Sequence, residues 1–381
     1  MHLAPEAGRI GLRCIYLETN QFRVGNLKSK LLLLVFACIC GFSVSRFFVS
    51  MRTVLAETHS SFHIQQQWNP GGNAGWGSLH FDPVSKLLYV PRTGSVMVLD
   101  TGSGKVVGEV PGFVDAREVA LDDAGKFGFV TDITDGTVGL VRVFDRSTLK
   151  MVSSIPVGRV PNAILFDPVT RNVYAFSSRD RNVSVIDTKT NTVVATISLP
   201  GKPHVAVTDD HGAIFAGLRG IGQMVRIDTA SQRVAATWPI EPCAEFTGLT
   251  IDGKHRQLLG SCAGGKMISV DADSGQVAVI GESGVSAGDV AFDPRNGRLI
   301  SAASSGVLTV FHQDAASQYT RQEQVTTMPM AGTLALDPDT GRVFLATAKF
   351  QQRQVIGKGM EEAEARLTPV PGSFVVLVVG P

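Results

Sequence analysis

The sequence has no excess of either charge: Lys plus Arg number 35 against 34 for Asp plus Glu. Met1 to Ala56 holds seven of the cations and two of the acids, so the rest of the chain carries 28 against 32, a net of −4. A weakly acidic body without a basic stripe argues against phosphate-backbone binding, and no nucleic-acid partner is expected. Helix-favouring Glu, Lys and Gln are sparse, charged residues make up 18% and aromatics 7%, while 40 Gly and 18 Pro are scattered without a collagen period. That balance excludes a helical bundle and favours a turn-rich β protein. Cysteine is scarce: of five, Cys14, Cys38 and Cys40 precede residue 57, which leaves Cys243 and Cys262 for the body.

Recognisable catalytic signatures are also missing. No G-x-S-x-G elbow occurs with triad partners in order, and C-x-x-C-H for haem attachment is absent. The GSGK at Gly102 to Lys105 is followed by Val106 where a phosphate loop needs Ser or Thr. GLRGIG at Gly217 to Gly222 lacks dinucleotide spacing, and the histidines form no helical metal pair. No metal site and no cofactor are expected.

Long hydrophobic runs are lacking too. The uncharged apolar stretch Leu31 to Ser45 has fifteen residues, short of the ~20 needed to cross a bilayer as a helix. Arg23, Lys28 and Lys30 precede it and Val54-Leu55-Ala56 follows, the pattern of an exported chain. Residues 1–56 read as a cleaved signal peptide or an uncleaved N-terminal anchor. Either places the body outside the cytoplasm, periplasmic or secreted, and touching membrane only through that segment. In an oxidising compartment Cys243 and Cys262 would be able to pair. They flank a hairpin centred near Lys254, which returns them to the same end of one sheet.

What the sequence does contain is a repeat. Alternating apolar runs end in an Asp-led turn at Asp82, Asp122, Asp167, Asp209, Asp252, Asp293 and Asp337, with spacings of 40, 45, 42, 43, 41 and 44. A second marker keeps the same period at Asp100, Asp145, Asp187, Asp228 and Asp271, with His312 as a degenerate sixth. Each unit reads as four short strands with an Asp turn after the first and the third, because the Asp side chain caps turn donors. Four strands every 40 to 45 residues is one propeller blade, and the connections are too short for crossover helices.

The expected fold is therefore an all-β, seven-bladed propeller of four-stranded antiparallel blades over residues 57–381. The seventh unit stops after its third strand. Phe62 to Trp68 alternates large apolar and polar residues and supplies the missing outer strand, closing the ring. The last unit also departs from the others in a long loop insertion at 349–372.

Runs such as RNVYAFSSRDRNVSVIDTKTNTVVATISLPGKPHVAV at Arg171 to Val207 resemble the YVTN-type repeat of YncE-like seven-bladed propellers, which are often secreted or surface proteins. The resemblance covers roughly residues 60–381. It implies fold and compartment and carries no catalytic residue onto this chain.

Loops that precede the first strand of each blade gather at one end of the channel, where ligand groups are expected. Polar residues there form a mixed-charge ring that includes Glu118, Arg219 and Asp289. Asn162, His204 and Glu245, a few positions before their marker Asp residues, are the candidate ligand wall. Arg117 and Arg179 would add positive charge for a small anionic or carbonyl-bearing ligand. The expected function is a non-catalytic ligand-binding or protein-interaction module. The rival is a lactonase-like hydrolase in which His204, Glu245 and Arg117 converge on one carbonyl.

Overall fold

A computed structural model describes residues 61–72, 75–122, 125–355 and 364–381. The segment 1–56, with its signal-peptide and anchor readings, lies outside the described residues.

Seven four-stranded antiparallel sheets make up the body, and no helix occurs among the described residues. We letter the strands A to D within each blade. Blade one runs His80–Asp82, Leu87–Arg92, Ser95–Asp100 and Val106–Pro111. Strand A of every blade packs against strand A of the next, and blade seven meets blade one in the same way, so the A strands form a closed inner ring.

Blade packing explains the sequence pattern. Strands B and C are buried on both faces because each blade is covered by two neighbours, as in Asn172–Ser177 and Ser95–Asp100. Strand D alternates exposed and partly covered positions, as in Arg233–Pro239. Among the described residues the hydrophobic core divides into seven clusters, one at each blade interface. Between blades two and three, for example, Phe129 and Val141 meet Val173 and Ile186.

The Asp markers do what their turns require. All seven A-to-B aspartates are buried, and each side chain accepts turn N–H groups, such as those of Val84 on Asp82, Thr170 on Asp167 and His211 on Asp209. At the C-to-D turns, Asp100, Asp145, Asp187, Asp228 and Asp271 accept in the same way while staying near solvent. His312 departs from the marker pattern. With no carboxylate to cap a turn there, strand C of blade six continues to Ala315 and pairs on with Gln318–Thr326.

His63–Trp68 is strand D of the last blade, antiparallel to Val375–Gly380 from His63 opposite Gly380 to Trp68 opposite Val376. The sheet order then runs inward through Arg342–Thr347 to Thr333–Asp337. Two aromatic anchors stitch this strand sideways. Phe62 is buried between blades six and seven, and Trp68 between blades seven and one, 5.5 Å from the Phe344 ring. The insertion at 349–372 is not a plain loop: Phe350–Val355 and Glu364–Pro369 pair as a hairpin.

Candidate functional site

In blades two to six the ladder between strands A and B slips at one end. Paired residues jump from Ala116 to Val119, Pro161 to Ala163, Pro203 to Val205, Phe246 to Gly248 and Ala287 to Val290. Pro161 and Pro203 have no N–H to give the ladder, which favours the slip there. The residues skipped are Arg117 with Glu118, Asn162, His204, Thr247, and Gly288 with Asp289. A bulge re-aims its extra residue, and here the direction is towards the axis. Arg117, Glu118, Asn162, His204, Thr247 and Asp289 all line one cavity of about 430 Å³, with Ser78 and Thr333 completing the circle from blades one and seven.

Close approach of the A strands keeps this mouth narrow. A Cβ on Gly288 would lie 2.2 Å from the Gly332 carbonyl oxygen, and one on Gly248 would lie 2.5 Å from that of Gly288. Glycine is required at both positions because backbone occupies the space.

Three bulge side chains, those of Glu118, His204 and Asp289, each tie their blade to the next. The Glu118 carboxyl accepts from the Ile164 N–H at 3.0 Å, and Asp289 accepts from the Leu334 N–H at 3.3 Å. Burial pushes the Glu118 carboxyl up to about 8, opposed by the Ile164 bond and reinforced by Asp289. Burial likewise pushes Asp289 up to about 7, against the Leu334 bond. Near neutral pH Glu118 is therefore mostly an O–H donor facing the cavity.

His204 places Nδ1 3.0 Å from the Phe246 carbonyl, which only accepts, so Nδ1 carries the proton. Burial lowers its affinity for a second proton, as do Arg219 and Arg117, against that bond and Glu245. The ring is thus neutral, and Nε2 is a bare acceptor without a partner among the described residues. The Asn162 side-chain amide likewise makes no hydrogen bond among the described residues, and the buried Thr333 hydroxyl is also unpartnered. Arg117 is half exposed beside Asp115, 3.6 Å away. Its approach loop is fixed because Asp132, fully buried, accepts from the N–H groups of Val114 and Asp115 and holds Arg142.

Of the five residues expected to contact a ligand, the cavity brings together Arg117, Asn162 and His204. Glu245 is not among the cavity's walls. It lies seven residues before Asp252, whereas Asn162 and His204 lie five before their markers, so blade five presents Thr247 instead. Glu245 sits at the rim, where its Oε1 accepts from Arg219 Nε at 2.7 Å and lies 3.5 Å from His204 Nδ1. Arg179 is also outside the cavity. It is exposed on the B-to-C loop of blade three, against Gly136 of blade two. Cys243 and Cys262 are joined in a disulfide with Cα atoms 5.5 Å apart. The bond clamps the loop entering blade five to the end of its strand B, where Cys262 is paired with Phe246. Among the described residues no group of three His, Cys, Asp or Glu is placed to hold a metal.

Fold and cavity together define a seven-bladed β-propeller with a polar channel mouth. In sequence the chain is YncE-like. It is 28% identical over 148 residues to the protein named uncharacterized protein YncE of Salmonella typhimurium LT2, and 27% identical over 148 residues to that of Salmonella typhi. Each match covers 37% of this chain and 41% of the relative, less than half its length. No family model matches. Among solved structures, Kuenenia stuttgartiensis hydrazine synthase aligns with a TM-score of 0.64 at 19% identity, over 76% of this chain and 95% of that one. A chain of the mitotic checkpoint complex aligns at 0.65 with 13% identity, over 84% and 96%. At such identities the likeness concerns the fold alone.

Proposed function

We propose that this chain is a non-catalytic binding module, exported from the cytoplasm, whose channel mouth takes a small ligand bearing a carboxylate or carbonyl group. The observation that carries this reading is the run of five consecutive strand A bulges that turn polar side chains into one cavity. Ring closure alone needs only backbone and glycine there, and uncompensated polar groups in such a place cost desolvation. The donors suit an oxygen-rich group: the Arg117 guanidinium, the Asn162 amide and the neutral Glu118 carboxyl. The disulfide and the leader pattern support an oxidising compartment.

The neutral His204 ring favours one second reading. In a lactonase-like hydrolase Nε2 would take a proton from water, while Arg117 and the Glu118 O–H stabilise the developing oxyanion. A thermal-shift panel of small carboxylates and lactones separates the two, combined with a turnover assay. Binding predicts stabilisation by carboxylates that is lost in Arg117→Gln and Asn162→Ala, with lactones left intact. Lactone hydrolysis abolished by His204→Ala would establish the hydrolase instead. No stabilisation by any member of the panel would refute both.

A further inference from the structure

A second cavity, also about 430 Å³, opens beside the first and shares Trp76, Thr247, Asp289 and Thr333 with it. Its character is different. Away from the shared seam its main walls are Met330, Phe350 and Pro369, with glycine backbone and Ser304 between them. Phe350 and Pro369 are directly opposite each other in the insertion hairpin, so their side chains leave the same face and together roof the space. Leu367 follows on that same face of the hairpin and is 59% exposed. Met330 is 42% exposed although its backbone is left-handed, with φ at 63°, a conformation that glycine adopts without strain. Its N–H donates to the Ser304 carbonyl at 2.7 Å, which holds the segment in place. Apolar side chains are thus displayed beside a polar mouth, with the unpartnered Thr333 hydroxyl on the boundary.

We propose that the ligand is an amphiphile, a carboxylate or carbonyl compound with a medium-chain acyl or arylalkyl body. This rests on reading the channel mouth as a ligand site. The head lies among Arg117, Asn162 and the Glu118 carboxyl, and the body passes Thr333 into the cavity under the hairpin, against Trp76, Met330 and Phe350. A protein surface has no need of two contiguous concavities of opposite polarity, whereas such a ligand fills both, and each volume is within the range of small-molecule sites. The insertion then has a role in selection: the other blades end this connection within a few residues, and only blade seven builds a roof.

The test is calorimetry with acetate, octanoate and 1-octanol, with ligand-observed NMR for weak binders, on the wild-type chain and on Met330→Ser/Phe350→Ser. Burying even part of the six added methylenes makes octanoate about 30-fold or more tighter than acetate. That advantage falls towards unity in the double variant, and 1-octanol binds more weakly than octanoate. Equal affinity for acetate and octanoate overturns the amphiphile and leaves the channel-mouth reading standing. Octanol binding as tightly as octanoate, with no effect of Arg117→Gln, removes the head from the proposal and overturns it. Failure of acetate as well as octanoate to bind overturns the reading beneath it.

Discussion

Raising the pH from 5 to 9 forces Glu118 to ionise in a place that disfavours its charge. In the unfolded chain its proton leaves near 4.5, and in the folded protein near 8. Between those values the folded state holds a proton that the unfolded state has released, so stability falls as pH rises. The contribution is full below pH 4.5 and lost as pH passes 8. At about 1.4 kcal/mol per unit the shift sets an upper bound of roughly 5 kcal/mol. Between pH 5 and pH 9 about 4 kcal/mol of this is lost. For a body of this size that is about 6 °C in melting temperature. Glu118→Gln keeps an acceptor for the Ile164 N–H and removes the titration. Melting curves of wild type and Glu118→Gln, taken across the pH range, should therefore diverge by about 6 °C between the two ends, wild type losing ground at high pH. Parallel curves would refute the reasoning, since they would mean that the cavity solvates this carboxyl as bulk water does.

Reduction of Cys243–Cys262 reopens a segment of 19 residues, so Cys243→Ser/Cys262→Ser should cost about 3 kcal/mol by denaturant titration, and unchanged midpoints would contradict a formed bond. Arg146, nearly buried, holds Asp82 of blade one and the Asp122 carbonyl of blade two. Arg146→Met strands the buried Asp82 charge and should cost about 3–5 kcal/mol. Deleting residues 61–70 strips the ladder from Val375–Gly380 and uncovers Phe344, so aggregation or a large loss of melting temperature is expected. An unaltered melting curve would show that the ring closes without this strand.

Fold was legible because a propeller blade repeats its constraints. Every A-to-B turn buries an aspartate, so Asp82 through Asp337 mark the period in plain sequence, and the unit missing its last strand pointed to Phe62–Trp68. The site was legible only in part because it depends on how bulges fall. Counting five back from the marker finds Arg117, Asn162, His204 and Thr247, and that rule was available in the sequence. Nothing in the local pattern shows that blade six skips two residues and so delivers Asp289 after Gly288. Glu245 is polar, near its marker and close to His204, yet two positions too early to turn inward. Arg179 lies beside the channel mouth in sequence order, but the B-to-C loop carries it to the rim. The hairpin in 349–372 has no Asp marker and no period, and the apolar cavity beneath it exists only when Trp76, Met330 and Phe350 meet from distant parts of the chain.

The most direct test of a ligand-binding channel mouth is a crystal structure of the protein soaked with the carboxylate that stabilises it most, alongside binding to Arg117→Gln/Asn162→Ala. The prediction is carboxylate density between Arg117 and Asn162 within hydrogen-bonding reach of the Glu118 carboxyl, and at least a tenfold weaker affinity, about 1.4 kcal/mol or more, in the double variant. Density at the outer rim with an empty channel, or a double variant that binds as wild type does, would contradict it.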